Sequence, residues 1–238
     1  FTKEQVKALK GWSEELFSWP ETPGKWMKYY EPTPGDERQL CRVENFMPYH
    51  EGIRGLGCGQ SVMGILGKLM GEEAVLFKEK INLKLPGGAG FGAHQDAPAF
   101  TTFGQKFHIT MMVAVDDATA ENGCLEFSDP VDVCHTLPQA PGGTIAEDVE
   151  AKLPWSAIEA EAGDIMFFDS YIPHRSPTNA SGKSRRAMFI TYNRKSEGSR
   201  RDEYFADKRD KFPQDCEKIP GRDYSASASL YNLGNPIK

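Results

Sequence analysis

The chain has 238 residues, a formal net charge of −6 and an isoelectric point near 5.5. Hydrophobic residues make up 39% of it, which is enough for the core of one large domain, and the acidic balance argues against a nucleic-acid-binding protein. No apolar run approaches the roughly eighteen residues that a membrane helix needs. The composition therefore predicts one soluble domain, residues 1–238, that binds neither nucleic acid nor a membrane.

The cysteines occur without CxxC spacing. They are Cys41, Cys58, Cys124, Cys134 and Cys216. An odd number in this pattern indicates neither a disulfide framework nor a zinc site, and unpaired thiols are typical of reducing compartments. We therefore expect a cytoplasmic protein.

Residues 1–72 are predicted to form a helical support for a following sheet. A capping-box pattern followed by apolar residues at near-helical spacing predicts a first helix that ends before Pro20. The proline-rich residues 20–38 are expected to form an ordered loop or a short hairpin. Apolar positions i, i+3, i+4, i+7 and i+8 predict a second helix over 62–70, which Gly71 ends.

An extended pattern runs from Ala74 to Pro86. Apolar side chains share one parity, and the other parity is polar, with Lys78, Lys80, Asn82 and Lys84. Two interpretations remain open. Either the polar parity is the solvated face of a sheet, or it faces an internal cavity and brings Asn82 and Lys84 near an anionic group of a substrate or cosubstrate. Four glycines between 87 and 92 allow the chain to bend closely past such a site.

The functional prediction is built on the next segment, GAGFGAHQDAPAF. Alternate side chains of an extended strand share a face, so His94 and Asp96 are expected to point to one side and Gln95 to the other. If His174 reaches the same point, two histidines and a carboxylate form the facial set that suits non-haem Fe(II) in oxygenases. An HxD pair also occurs by chance in many chains, so the sequence around His174 is needed to decide whether this pair belongs to a metal site.

Short strands separated by turn residues follow. They are expected near 107–115, 124–127, 157–160, 165–168 and 186–192. Such a series is typical of a jelly roll with two stacked sheets. Residues 130–156 interrupt it as an inserted loop and a candidate lid. The predicted core is 73–194, and 195–238 is a C-terminal extension with a helix over 200–211 whose Glu203, Lys208 and Arg209 lie in water.

The downstream context is GDIMFFDSYIPHRSPTNASGKSRRAMFITYN. It contains a Gly-Asp turn, an apolar strand, His174, a polar loop and two arginines that open the next strand. Arg185 follows His174 by 11 residues, enough for a return into an adjacent antiparallel strand. An arginine there can bind a carboxylate through two hydrogen bonds. Alternation alone does not decide between Arg185 and Arg186.

The strings HQD, ENGCLEF and GDIMFFDSYIPHRS, with Arg185 behind them, resemble the phytanoyl-CoA dioxygenase (PhyH-like) branch of the Fe(II)/2-oxoglutarate oxygenases. The resemblance spans roughly residues 78–193. The flanks RVENFMPYHEG and RRDEYFADKRDKFPQD are similar to one group of the family, the bacterial hydroxylases of 2-aminoethylphosphonate or its trimethylammonium analogue. The resemblance implies a mainly β, cupin-like double-stranded β-helix (jelly roll) with flanking α-helices.

The resemblance also implies residue roles and a reaction. His94, Asp96 and His174 are expected to bind Fe(II), and Arg185, assisted by Ser176, to bind the distal carboxylate of 2-oxoglutarate. The candidate substrate contacts are Asn82, Lys84 and Gln95. The family reaction uses O2 to hydroxylate an unactivated C–H bond, here of a small anionic substrate, an aminoalkylphosphonate first, with ascorbate as a protectant only. An aspartate at position 96 argues for hydroxylation, since halogenating relatives have a small residue there.

Two alternatives stay open. The substrate could be an amino acid or a natural-product intermediate, or the three ligands could hold Zn in a cupin-like binding or hydrolytic module. The presence of Arg185 argues against the zinc alternative, because a hydrolase does not need an arginine that binds the carboxylate of a cosubstrate. His50, His108 and His135 are poorer iron ligands, since none has a carboxylate two residues away in a strand-like context. His135 is the better candidate for a substrate contact from the inserted loop.

Overall fold

The computed structural model describes residues 1–32, 38–128, 135–232 and 237. Their strands are β1 (Met27–Pro32), β2 (Arg38–Glu44), β3 (Ala74–Lys84), β4 (Phe91–His94), β5 (His108–Ala114), β6 (Leu125–Phe127), β7 (Ser156–Ile158), β8 (Ile165–Asp169), β9 (His174–Ser176) and β10 (Arg185–Arg194). A six-stranded sheet has the order β1-β2-β3-β10-β5-β8, and a four-stranded sheet has the order β4-β9-β6-β7. All strand pairs are antiparallel.

The helices of the described residues are α1 (Lys3–Ser18), α2 (Glu51–Gly57), α3 (Gln60–Met70), α4 (Ala97–Phe100), α5 (Glu147–Glu150), α6 (Arg201–Lys211) and α7 (Ala228–Tyr231). Short 3-10 helices lie at Thr101–Phe103, Lys195–Glu197, Asp215–Glu217 and Ser225–Ser227. No helix in this part of the chain is long and apolar enough to cross a bilayer.

Strand alternation gives the larger sheet two apolar faces. On β10, Met188 and Ile190 pack with α1, α2 and α3 on the outer face. Ala187 and Phe189 point the other way and pack with β6 and β8 between the two sheets. Side chains from β1, α4 and α6 build a third apolar cluster at one end. The result is the predicted jelly roll with flanking helices, and the confirmed fold class places an interior between the sheets.

The two N-terminal helices that the sequence predicts are confirmed. Thr2 caps α1 by accepting a hydrogen bond from the backbone N–H of Gln5 (3.3 Å), and the Gln5 side chain accepts one from the N–H of Thr2 (2.8 Å). Helix α3 ends at Gly71, whose φ of 75° lies in the left-handed region. Residues 20–38 supply β1, which pairs with β2 and extends the larger sheet. The N-terminal 72 residues are therefore not only helical.

The inserted loop at 130–156 lies partly outside the described residues, since 130–134 are not described. The backbone N–H of Leu137 donates to the Gln95 side chain (2.7 Å), and that of Ile145 donates to the carbonyl of Ala93 (2.8 Å). The later part of the loop thus packs along β4. Its role as a lid stays a prediction, as does the division of the chain into support, core and extension.

Lys208 on α6 is buried, so its predicted exposure is wrong. Its side chain is 1% exposed and its ammonium lies 2.6 Å from the carboxylate of Glu44, which is 2% exposed. Arg42 lies 3.5 Å from the other oxygen of Glu44. The sequence of α6 does not predict this burial, because the helix has only weak apolar periodicity and its buried face includes a lysine that pairs with a distant strand.

We expect Lys208→Met to destabilise the protein by about 3 kcal/mol, because the buried carboxylate of Glu44 would then lack its nearest cation. The matched control is Lys211→Met on the same helix, whose ion pair with Asp207 is half exposed and should contribute less than about 0.5 kcal/mol. Urea unfolding of the three proteins measures both effects. Equal losses in the two variants would contradict a special role for the buried pair.

Candidate active site

The two histidines of the predicted metal set face each other across neighbouring strands. His94, the last residue of β4, pairs directly with His174, the first residue of β9, and their ring centroids are 4.2 Å apart. Asp96 is not in the strand, which corrects the expectation of a shared strand face. It has helical dihedral angles (φ −75°, ψ −27°) and precedes α4, which Pro98 helps to start. The turn brings its carboxylate round to the histidines.

One ligand atom from each of His94, Asp96 and His174 lies within 4.8 Å of the other two, and all three residues are buried. Nδ1 of His94 is 2.7 Å from the carbonyl of Gly92, and Nδ1 of His174 is 3.1 Å from that of Ile172. A carbonyl only accepts, so each Nδ1 donates and each Nε2 keeps a free lone pair. This donor set fits a facial Fe(II) site.

The surroundings shift the pKa values of the same three side chains in the directions that favour metal binding. Burial, and then the neighbouring His174, lower the pKa of His94 to about 3, and burial lowers the pKa of His174 too. Burial alone would raise the pKa of Asp96, but His174 and two lysines hold it below its usual value. Near neutral pH the triad therefore offers two neutral imidazoles and one carboxylate, the protonation states that metal binding requires.

A cavity adjoins the triad, and Arg185 lines it; we call it the Arg185 cavity. Arg185 is 3% exposed, its Nη2 is 3.5 Å from Ser176 Oγ, and its buried Nε has no hydrogen-bond partner in the described structure. No carboxylate among the described residues pairs with it. Burial lowers its pKa to about 10, so it remains a cation that a carboxylate entering the cavity would neutralise.

Arg186 faces the opposite way. Its Nε and Nη2 donate to the two carboxylate oxygens of Asp116 at 2.7 and 2.8 Å on the outer face of the sheet. The strand register therefore answers the question that alternation left open. Arg185 points into the interior, whereas Arg186 points outward and forms a structural ion pair with Asp116.

The polar parity of β3 faces the interior, so the cavity interpretation of this strand is correct and the solvated-face interpretation is wrong. Lys78, Asn82 and Lys84 are buried. Asn82 lines the Arg185 cavity, and its side-chain oxygen accepts a hydrogen bond from Nε of Arg42 (3.0 Å). Helices pack on the outer face of the sheet, and the polar side chains of β3 point to its inner face.

Lys84 lies behind Ser176 rather than in the Arg185 cavity. Its ammonium donates to Ser176 Oγ and to the carbonyls of Pro177 (2.5 Å) and Gly123 (3.3 Å). With its three donors engaged, it positions the end of β9. Gly123 of the ENGC string has a φ of 74°, and a Cβ there would lie 2.3 Å from the carbonyl oxygen of Pro177. Glycine is therefore required where the two loops touch.

Gln95 was predicted to contact the substrate. It lines neither the Arg185 cavity nor a second cavity that also adjoins the triad. Its amide donates to the carbonyls of His135 (3.2 Å) and Tyr171 (2.5 Å), and its oxygen accepts from Leu137. Because it lies between two residues that point inward, its side chain is turned toward the inserted loop. It joins that loop to the metal-binding segment.

The second cavity shares Lys80, His94 and Asp96 with the first. It is lined by three cationic side chains, Arg42, Lys78 and Lys80, and by four aromatic side chains besides His94, namely Phe91, Phe100, Tyr204 and Tyr231. We call it the cationic cavity. The polar parity of β3 indicated its lysines, but Arg42 and the two C-terminal tyrosines carried no local signal in the sequence, since they arrive from β2, α6 and α7.

The other histidines lie away from the triad. His50 caps α2 by accepting from the N–H of Ile53 (3.1 Å), and His108 is bonded to Gln105 (3.0 Å). His135 is exposed and lines neither cavity. The arginine-rich tail is likewise engaged elsewhere, for example in the ion pair of Arg201 with Glu79.

Comparisons with known proteins give matches over most of the chain. The model of the family "Phytanoyl-CoA dioxygenase (PhyH)" matches residues 1–187. The 2-aminoethylphosphonate dioxygenase of uncultured bacterium HF130_AEPn_1 is 59% identical over 231 residues, 97% of this chain and 88% of that one. The methylphosphonate hydroxylase of Gimesia maris is 42% identical over 213 residues, 90% and 81% of the two chains. The crystal structure of EctD from S. alaskensis with 2-oxoglutarate and 5-hydroxyectoine matches with a TM-score of 0.70 at 19% identity, over 83% of this chain and 70% of that one, and supports the fold.

Proposed function

The chain belongs to the phytanoyl-CoA dioxygenase family of Fe(II)/2-oxoglutarate dioxygenases, and we propose that it hydroxylates a small phosphonate, with 2-aminoethylphosphonate as the first candidate. The observation that carries the proposal is the 59% identity, over 97% of this chain, to a 2-aminoethylphosphonate dioxygenase. A cavity with three cationic walls beside His94 and Asp96 agrees with an anionic substrate. Oxygenase activity, rather than the function of a Zn-containing binding or hydrolytic module, follows from the family.

We assign Fe(II) binding to Nε2 of His94, Nε2 of His174 and the carboxylate of Asp96. Bound Fe(II) would activate O2, which is the oxidant: one oxygen atom would enter succinate as 2-oxoglutarate loses CO2, and the other would be inserted into a C–H bond of the substrate. The carbonyls of Gly92 and Ile172 hold the imidazoles by their Nδ1–H groups and keep the lone pairs of the Nε2 atoms aimed at one point. Asp96 occupies the position that would otherwise admit a halide.

Arg185 is assigned to the distal carboxylate of 2-oxoglutarate. It is a buried cation without a protein carboxylate partner in the described residues, and it lines a cavity that reaches the triad. Ser176 Oγ lies 3.5 Å from Arg185 and donates to the carbonyl of Gly123 (2.7 Å), so it stands where a second hydrogen bond to that carboxylate can form after rotation.

Methylphosphonate is the second candidate substrate, because the Gimesia maris relative with 42% identity is a methylphosphonate hydroxylase. An amino acid or a natural-product intermediate is less well matched to the excess of cations at the cavity wall. We place the reaction in the cytoplasm, which agrees with the unpaired thiols of Cys41, Cys58, Cys124 and Cys216. Ascorbate enters only as a reagent that keeps the iron reduced.

The test is succinate release by Fe(II)-loaded protein with 2-oxoglutarate, O2 and ascorbate, in the presence of one candidate substrate at a time. We expect 2-aminoethylphosphonate to stimulate succinate formation at least about tenfold above the substrate-free rate, with one hydroxylated product per succinate. The comparison set is methylphosphonate, the N-trimethyl analogue, β-alanine and an acyl-CoA thioester. Stimulation by the thioester or by β-alanine, but by no phosphonate, would contradict the proposal.

A further inference from the structure

The cationic cavity holds more positive charge than its own walls neutralise. Glu44, beneath Arg42, is bound by the buried Lys208 at 2.6 Å. Among the described residues that line the cavity, the only carboxylate is that of Asp96, which the proposed function assigns to the metal. Three cationic side chains therefore face one carboxylate, an excess of two positive charges when Lys80 is protonated.

Two of these cations have no oxygen partner. The ammonium groups of Lys78 and Lys80 donate to no side-chain or backbone oxygen of the described residues. Lys78 lies instead over the rings of Phe100 (4.2 Å) and Tyr204 (5.5 Å). Buried charges are normally paired, since an uncompensated ammonium is costly away from water. Lys78 is buried and Lys80 is half-buried, so these two unpaired ammonium groups are suited to a ligand that brings the missing negative charge.

The cations also repel one another. Burial, and then the neighbouring Lys78 and Arg42, lower the pKa of Lys80 to about 7. Burial lowers the pKa of Lys78 as well, against the attraction of Asp96 and Glu44. An anion that contacts all three groups relieves this repulsion, and a dianion relieves more of it than a monoanion of the same shape.

We infer that Arg42, Lys78 and Lys80 form a receptor for a tetrahedral dianion and that this receptor, rather than the amine end, selects the substrate. The inference rests on the proposed function and names the groups that recognise the phosphonate. A phosphonate near neutral pH carries close to two negative charges, as a phosphate ester does, and three oxygens for the three cations. A sulfonate has the same shape and one charge, and a carboxylate has two oxygens and one charge.

Arg42 is held in place for this role by its own contacts. Its Nε donates to Asn82 (3.0 Å) and its Nη1 lies 3.5 Å from Glu44, so its guanidinium is oriented before the ligand arrives. Asn82, which the sequence predicted to contact substrate directly, acts through Arg42 as a positioning residue. The aromatic rings of Tyr204 and Tyr231 close the cavity from the C-terminal side.

The experiment is calorimetric binding without O2, with Fe(II) and 2-oxoglutarate bound, of three ligands that share one carbon chain: 2-aminoethylphosphonate, 2-aminoethylsulfonate and β-alanine. Wild-type protein is expected to bind the phosphonate at least about tenfold more tightly than either monoanion. Lys78→Gln and Lys80→Gln should each weaken phosphonate binding by about thirtyfold or more, the loss typical of one buried charge partner, and should reduce the preference over the sulfonate.

The matched control is Lys28→Gln, which removes another buried lysine whose ammonium is bound by the carbonyls of Phe17 (2.9 Å) and Trp19 (2.7 Å) far from the cavity. It should leave phosphonate affinity unchanged, and thermal unfolding of each variant confirms that it is folded. Equal phosphonate affinity in wild type, Lys78→Gln and Lys80→Gln would overturn the receptor while leaving the proposed hydroxylation intact.

Two further outcomes separate the receptor from the proposed substrate. If the phosphonate fails to bind but inorganic phosphate or phosphoethanolamine binds in a manner that requires Lys78, the receptor stands and the proposed substrate is wrong. If no tetrahedral dianion binds to wild-type protein more tightly than the sulfonate, the receptor is wrong, whatever substrate the succinate assay identifies.

Discussion

Replacement of Asp96 by asparagine is expected to abolish Fe(II) binding and, with it, substrate-dependent succinate formation. The change keeps the shape of the side chain but removes the one negative charge that the triad offers to a divalent cation. Loss of a hydrogen-bond partner of a metal ligand typically costs 10–100-fold in affinity or activity, so loss of a ligand should cost more than about a hundredfold. Asp96→Ala should behave in the same way.

Equilibrium dialysis against Fe(II) under argon measures the metal directly, and succinate release measures the consequence. The control is Asp164→Asn, which removes a carboxylate that accepts a hydrogen bond from the N–H of Glu161 in an exposed turn. That variant should bind Fe(II) and form succinate as the wild type does. Wild-type metal content in Asp96→Asn would show that the ligand assignment is wrong.

Substitution of Arg185 should act on 2-oxoglutarate rather than on iron. Arg185→Gln removes a buried cation that has no carboxylate partner among the described residues, and we expect 2-oxoglutarate affinity to fall by about thirtyfold or more. Arg185→Lys keeps the charge but loses the planar pair of donors, so the fall should be smaller and the maximal rate largely retained. Anaerobic titration, followed by the visible band of the iron-bound oxo acid, gives the affinity.

The adjacent residue provides the matched control. Arg186→Gln breaks two hydrogen bonds to Asp116 on the outer face and should lower the free energy of unfolding by about 1–3 kcal/mol without changing 2-oxoglutarate affinity. The pair of variants therefore separates binding from stability at two consecutive positions of one strand. If Arg186→Gln weakened 2-oxoglutarate binding as much as Arg185→Gln, the proposed orientation of β10 would be untenable.

Local patterns in the sequence predicted the elements that depend on local contacts. The capping box at Thr2 and the helix ended by Gly71 form as expected, because cap and turn energies act within a few residues. Strands β3, β5, β6, β7, β8 and β10 lie within a few residues of their predicted places, whereas β2 was not predicted. The motif strings identified His94, Asp96 and His174, which the fold does bring together; their assignment as iron ligands stays a proposal.

The tertiary structure decided which face each strand presents to the interior. Alternation placed Lys78 and Lys80 on one face of β3, but only the helices packed behind the sheet make that face internal. The same rule left Arg185 and Arg186 equivalent until the pairing of β10 with β3 and β5 set their directions. Periodicity reports the relative orientation of neighbours along a chain, whereas burial depends on what another segment covers.

The sequence by itself determined the fold class, the family and three residues, His94, Asp96 and His174, that the fold brings together. It did not determine the cationic cavity, because Arg42, Tyr204 and Tyr231 reach that cavity from segments far apart in the chain. Nor did it predict the burial of Lys208, whose partner Glu44 is 164 residues away. Contacts at such separation depend on the packing of complete elements, and that packing leaves no period in the local sequence.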